Sequence, residues 1–107
     1  MLAGTAAWTA GWHYLRAGFF WEAHEVLEPV WMATRPDSPE RQLVQGVIQI
    51  ANAALKIEMQ RPNAVRRLCD IADAHIAAAA SAGTDPMMGL HFDALHQKID
   101  EIRKMMK

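Results

Sequence analysis

Residues 38–59 read SPERQLVQGVIQIANAALKIEM, a segment that predicts a long and largely covered helix. Ser38 is suited to cap this helix, Pro39 to occupy its first position and Glu40 to lie near its positive end. The polar side chains of the segment share one narrow stripe, made of Gln42, Gln45, Gln49, Asn52 and Lys56. Because the rest of the helix surface is almost entirely apolar, we expect other helices to cover it and this helix to be central.

The rest of the chain also has helical spacing, since apolar residues recur at three and four and almost never alternate. We expect helices at about 5–16, closed by Gly18, and at 19–34 before the central one. A fourth should run from the turn at Pro62 to about Ala82, and a fifth should follow a cap-then-proline signal at Asp85 and Pro86. The predicted fold is all-α, a single compact bundle of about five helices in which short connections make neighbours antiparallel. We expect core faces on the last two helices at Val65, Leu68, Cys69, Ala72, Ile76 and Ala79, and at Phe92, Leu95, Ile99, Ile102 and Met106.

Composition limits the classes of function. The 107 residues fit one domain, and no apolar run is long enough to cross a bilayer, so we expect a cytoplasmic protein without a membrane partner. The formal net charge of −1, with its signs interspersed, argues against nucleic acid as a partner. The single cysteine, Cys69, is expected to behave as a small core hydrophobe. The basic residues Arg66, Arg67, Arg103, Lys104 and Lys107 are expected to be solvated surface.

Residues 20–32, FWEAHEVLEPVWM, place ionisable groups among apolar ones. Projected at about 100° per residue, His24 and Glu28 fall inside an apolar arc and Glu25 lies at its rim. We therefore expect these groups to be buried and paired, since removing one member of a buried pair costs about 3–5 kcal/mol. Pro29 should kink the helix and leave the carbonyl of Glu25 free.

The amide stripe of the central helix is a suitable counterpart, because amides both donate and accept hydrogen bonds. We expect a polar cluster between the two helices, with Gly46 letting their backbones approach closely. The alternative is that the stripe merely faces solvent. The predicted cluster, which could bind a small ligand, comprises His24, Glu25, Glu28, Trp31, Gln45, Gln49, Asn52 and Lys56.

The same residues can be considered as a metal site. The pattern His-Glu-x-x-Glu is similar to the His-Glu-x-x-His pattern of zinc proteases, with His24 and Glu28 as candidate ligands and Glu25 as candidate general base. A third ligand would have to come from a partner chain or from His13, His91 or His96. Apart from such a divalent metal, the sequence predicts no cofactor.

Two runs together resemble the bacterial and archaeal family called domain of unknown function 309. They are GFFWEAHEVLEPVW at residues 18–31 and QGVIQIA at residues 45–51. The resemblance covers roughly residues 8 to 80 and implies a small multihelical fold, but no particular reaction. Many relatives carry a histidine near the place where this chain has Leu55 and Lys56, so a metal site that needs that histidine would be incomplete here. The hallmark positions of the family match His24, Glu25, Glu28, Trp31, Gln45, Gly46 and Gln49.

Three functions remain open at this point. The first is a non-catalytic homo-oligomer in which the polar cluster fixes helix packing or lines a small-ligand pocket. It is motivated by the crowding of four tryptophans into the first two helices. The second is metal binding or metal-dependent hydrolysis at His24 and Glu28. The third is a module that binds a partner through exposed tryptophans, with Trp8 and Trp12 as the candidates.

Overall fold

Five helices account for most of residues 6–106, the part of the chain that the computed structural model describes. They are α1 (Ala6–Ala17), α2 (Phe20–Ala33), α3 (Pro39–Glu58), α4 (Pro62–Ala82) and α5 (Phe92–Lys104). No strand occurs within this range, where the β-type pairing is a single bridge between Met87 and Leu90. The prediction of an all-α fold with about five helices is confirmed, although Thr5, the predicted first helical residue, lies outside the described residues.

The turns between the first helices follow directly from the sequence. Gly18 ends α1 with a φ of +90°, a left-handed conformation that costs glycine little. Ser38 caps α3 as predicted, because its side-chain oxygen accepts a hydrogen bond from the backbone N–H of Arg41 at 3.1 Å, and Pro39 begins the helix. Gly18 thus marks the end of α1, and Ser38 and Pro39 mark the start of α3, as the sequence predicts.

Helix α3 is the centre of the fold. It packs most extensively on α4, then on α2, and also contacts α5, whereas α1 packs on α2 and α5 on α4. The predicted core faces are also confirmed, with Leu68 and Met106 only partly buried. The buried residues of α3 are Leu43, Val44, Gly46, Val47, Ile48, Ile50, Ala51, Ala53 and Ala54.

Two glycines allow close helix approaches. A Cβ on Gly11 of α1 would overlap the side chain of Leu27 of α2. A Cβ on Gly46 of α3 would lie 2.8 Å from Cγ1 of Ile76 of α4. The prediction that Gly46 lets α3 approach α2 is therefore wrong, because this glycine faces α4.

The segment before α5 differs from the prediction that Asp85 and Pro86 start the helix. The chain first makes a tight turn in which Met87 and Leu90 exchange two backbone hydrogen bonds of 2.9 Å. Met88 and Gly89 at its centre both have positive φ, as a type I′ turn requires. Helix α5 then begins at Phe92, whose backbone N–H donates to the Asp85 carboxylate at 3.2 Å. Asp85 thus does cap α5, but from seven residues away.

The surface of α4 and α5 holds a further correction. Arg103 is not simply solvated, because its Nη2 lies 2.8 Å from Asp70 Oδ1 and 2.7 Å from Asp73 Oδ2, so it ties α5 to α4.

Cys69 is buried as expected, and burial raises the pKa of its thiol. No helix in residues 6–106 is long and apolar enough to cross a membrane.

Candidate functional site

Helix α2 buries a narrower face than its sequence predicts. Its buried residues are Ala23, Leu27 and Val30, which face α1 and α3. The opposite face is open to solvent, with Trp21 57% and Met32 70% exposed. The broad apolar arc drawn from the sequence therefore includes residues that lie outside the core.

His24 lies at the edge of this exposed face, and each nitrogen of its ring faces a different glutamate. Its side chain is 25% exposed, its Nδ1 is 3.7 Å from Glu25 Oε1 and its Nε2 is 3.6 Å from Glu28 Oε2. These separations allow ion pairing with a protonated ring but exceed the usual hydrogen-bond length. The Trp21 indole lies beside the His24 ring, with the two ring centroids 6.0 Å apart and the ring planes inclined at 31°. One imidazole, one indole and two carboxylates thus form a single surface group.

The prediction that this group is buried is only partly correct. The side chains of Glu25 and Glu28 are 56% and 57% exposed, so the prediction that they are shut away between helices is wrong. The reason is that carboxylates on the rim of a helix can extend into water instead of replacing their hydration. His24 is half-buried, and its Nδ1 atom is enclosed without a hydrogen-bond partner among residues 6–106. Their roles as binding residues stay predictions.

The amide stripe of α3 forms its hydrogen bonds elsewhere. Asn52 Nδ2 donates to Gln49 Oε1 at 3.1 Å within the helix. Gln42 Oε1 lies 2.7 Å from Nδ1 of His75 on α4. Among residues 6–106, no hydrogen bond joins this stripe to His24 or the two glutamates. Gln45, Gln49, Asn52 and Lys56 are all half-buried, so they are neither sealed between helices nor fully open to solvent.

Trp31 belongs to a separate contact at the other end of α2. The guanidinium carbon of Arg41 lies 3.9 Å from the centroid of the Trp31 ring, within the range of a cation–π interaction. The same guanidinium donates from Nη1 to the carbonyl of Thr34 at 3.1 Å. Trp31 therefore helps to fix the connection from α2 to α3, about two helical turns from His24.

Residues 6–106 of one chain offer too few ligands for a metal site. Residues 6–106 contain no group of three His, Cys, Asp or Glu side chains placed to hold an ion. Of the histidines considered as a third ligand, His91 lies 3.2 Å from Asp85 and His96 lies 3.4 Å from Asp73. His24 and Glu28 are the two predicted ligands that the structure does bring together, and further ligands would have to come from outside the described chain.

The four tryptophans differ in exposure. Trp8 is 3% exposed, and its Nε1 donates to the carbonyl of Met88 at 2.7 Å, so the prediction of an exposed partner surface at Trp8 is wrong. Trp12 and Trp31 are half-buried. Trp21 remains as the indole with more than half of its surface open.

His75 and Arg103 form contacts that the sequence pattern does not predict, since the pattern assigns no role to His75 and places Arg103 on the solvated surface. His75 follows Ala72 and precedes Ala79 on the buried side of α4, and burial lowers the pKa of its imidazole. Its position three residues after the core residue Ala72 is the sequence signal that could have predicted a partly buried histidine. For Arg103 the signal was the pair of aspartates, Asp70 and Asp73, spaced to meet one guanidinium.

Comparisons with known proteins identify a family and a similar solved structure. The family model described as Domain of unknown function (DUF309) matches residues 8–68, which span α1, α2, α3 and the start of α4. A crystal structure of a conserved hypothetical protein from Thermus thermophilus is 32% identical, with a TM-score of 0.72. The similarity covers 89% of this chain and 94% of that one. A comparison with curated proteins found no match.

Proposed function

The chain belongs to the family of the domain of unknown function DUF309, and we propose that it is a non-catalytic helical module that self-associates through the exposed side of α2. We call this side the outer face and define it as Trp21, Glu25, Glu28 and Met32. The observation that carries the proposal is the exposure of Trp21 and Met32, 57% and 70%, on the helix face opposite the core. Pairing this face with a partner would remove both large apolar side chains from water, which favours association.

The spacing of the outer face suits a second copy of the same helix. Its residues follow one another at intervals of four, three and four, the pattern of a helix seam. If two α2 helices pair antiparallel about the midpoint of this seam, Trp21 of each copy lies opposite Met32 of the other. Thioether sulfur packs favourably on aromatic rings, so the two apolar ends of the face complement each other.

The centre of the same pairing is acidic. Glu25 of one copy would lie opposite Glu28 of the other, and like charges that face each other weaken association. His24 is within 3.7 Å of both carboxylates of its own chain and offsets this repulsion when it is protonated. The expected product is a reversible dimer with a dissociation constant of about micromolar size, because the face is small compared with a permanent interface.

The test is light scattering coupled to size-exclusion chromatography over a range of micromolar concentrations. The wild-type protein should shift from monomer to dimer, and Trp21→Ala and Met32→Ala should each weaken the dimer about tenfold. Met105→Ala is the matched control, since Met105 is 63% exposed just after the end of α5 and far from the outer face in sequence. Glu28→Gln should strengthen the dimer, because it removes repulsion. A monomer at every concentration, or equal effects of Met32→Ala and Met105→Ala, would refute the proposal.

A second candidate is divalent cation binding, favoured by the 3.6 Å separation of His24 Nε2 and Glu28 Oε2 on one helical turn. One chain offers fewer than the four ligands that zinc usually takes. The proposed dimer would bring two such pairs together near its axis. Calorimetric titration with zinc should give one ion per dimer that is lost in His24→Ala and kept in His13→Ala. Equal uptake by both variants would remove this candidate.

A further inference from the structure

A cleft between α1 and the turn and helix that follow residue 86 lies away from the outer face of α2. Helix α1 packs on α2 and α5 packs on α4, which leaves a gap of about 490 Å³ between them. Trp12 and Arg16, one helical turn apart, form the wall on the α1 side. Leu90 lines the cleft on the side of the turn, and Lys98 lines it on the α5 side.

The charges in this cleft are unbalanced. Arg16 has no ion-pair partner among residues 6–106. Lys98 lies 3.7 Å from Glu101, which is itself more than half exposed. The His91 ring faces Asp85 at 3.2 Å. The cleft therefore contains two cations for one carboxylate on its lining, and the guanidinium of Arg16 is the uncompensated charge.

From this arrangement we infer that the cleft binds a small organic anion with a planar ring. The ring would stack on the half-buried indole of Trp12, and the acidic group would reach Arg16 and Lys98. A guanidinium matches the geometry of a carboxylate or a phosphate because it can donate two parallel hydrogen bonds. The volume of about 490 Å³ lies within the range of small-molecule sites, about 300–1,000 Å³. This size admits an aromatic carboxylate or a nucleoside monophosphate.

The experiment is an NMR titration that follows the indole N–H signals of the ¹⁵N-labelled full chain. Trp12→Phe assigns the signal of Trp12. The probes are benzoate and adenosine 5′-monophosphate. The control compounds are adenosine, which lacks the acidic group, and inorganic phosphate, which lacks the ring. The signal of Trp12 should shift in a saturable manner with at least one of the two complete probes. Adenosine or phosphate alone should bind about tenfold more weakly than the nucleotide if the nucleotide is the preferred probe.

Charge variants identify the site. Arg16→Gln should weaken binding about tenfold, since it removes a charged hydrogen-bond donor from an exposed position. Arg67→Gln removes an exposed arginine from α4 and should leave the affinity unchanged. Trp21→Ala, which tests the proposed dimer, should also leave it unchanged. The inference is overturned if neither complete probe gives saturable shifts up to about 10 mM, or if Arg16→Gln binds as tightly as the wild type.

Discussion

His75 is a titrating group whose surroundings are well defined. It lies half-buried on α4, with Nδ1 2.7 Å from Gln42 Oε1 on α3. Burial lowers the pKa of its imidazole below the ordinary value of 6.5, so near pH 7 the neutral ring predominates in the folded protein. The contact joins two helices through a neutral hydrogen bond.

This shift predicts a pH dependence of stability. Well above pH 6.5 the ring is neutral in both states and contributes no pH dependence. As the pH falls below that value, the unfolded chain takes up a proton more readily than the folded chain, so the free energy of unfolding decreases. Urea unfolding between about pH 7 and pH 5 should show a smaller decrease for His75→Gln than for the wild type. Parallel curves would contradict the prediction.

At the scale of the element, the start of α3 depends on one hydroxyl. Ser38 Oγ accepts from the backbone N–H of Arg41 at 3.1 Å. Ser38→Ala should lower the free energy of unfolding by about 1 kcal/mol, because a helix N–H loses its partner. Ser81→Ala is the matched control, since Ser81 Oγ donates to the Ala78 carbonyl near the exposed end of α4 and caps no N-terminus. Denaturant unfolding measures both, and equal losses would argue against capping by Ser38.

The contact between α3 and α4 depends on the absence of a side chain at Gly46. A Cβ there would lie 2.8 Å from Cγ1 of Ile76, which is fully buried, so the two helices or the Ile76 side chain would have to shift. Gly46→Ala should cost about 1–3 kcal/mol in overpacking and regain about 1 kcal/mol in helix propensity. We therefore expect a net loss of roughly 1 kcal/mol.

A double variant isolates this clash. Ile76→Ala alone should cost about 2–5 kcal/mol through the cavity it leaves. Combined with Gly46→Ala, the new methyl group enters that cavity, so the loss in the double variant should be smaller than the sum of the single losses. Strict additivity in denaturant unfolding would show that the two positions do not meet.

Sequence patterns predicted the helices better than their surroundings. Spacing and caps depend on near neighbours, so the ends of α1 to α4 followed from signals such as Gly18 and Ser38. The start of α5 was missed because the turn at Met88 depends on positive φ at a residue type that seldom adopts it. Of the residues in the predicted polar cluster, the structure places His24, Glu25 and Glu28 together, whereas the amides of α3 form their hydrogen bonds elsewhere. The exposure of these three residues was misjudged, since projecting one helix does not show how far its neighbours extend.

At the scale of the whole molecule, distant segments are joined by polar contacts that no local pattern reveals. Trp8 on α1 donates to the carbonyl of Met88, eighty positions later. Gln42 meets His75 across thirty-three positions. The first of these contacts holds α1 against the turn that lines the cleft, although α1 packs mainly on α2 and α5 mainly on α4.

Arg103 makes the most extensive of these long-range contacts. Its guanidinium lies within 3 Å of Asp70 and Asp73 on α4, and its side chain is only partly exposed. Arg103→Gln should lower the free energy of unfolding by about 1 kcal/mol, since partly screened pairs contribute modestly and two are lost. Such a loss corresponds to a fall of about 4–8 °C in the melting temperature of a domain of this size. Lys104→Gln, on the same helix, removes an exposed cation and should change the melting temperature little. If calorimetry finds the two variants equally stable, the link between α4 and α5 is carried by the apolar core alone.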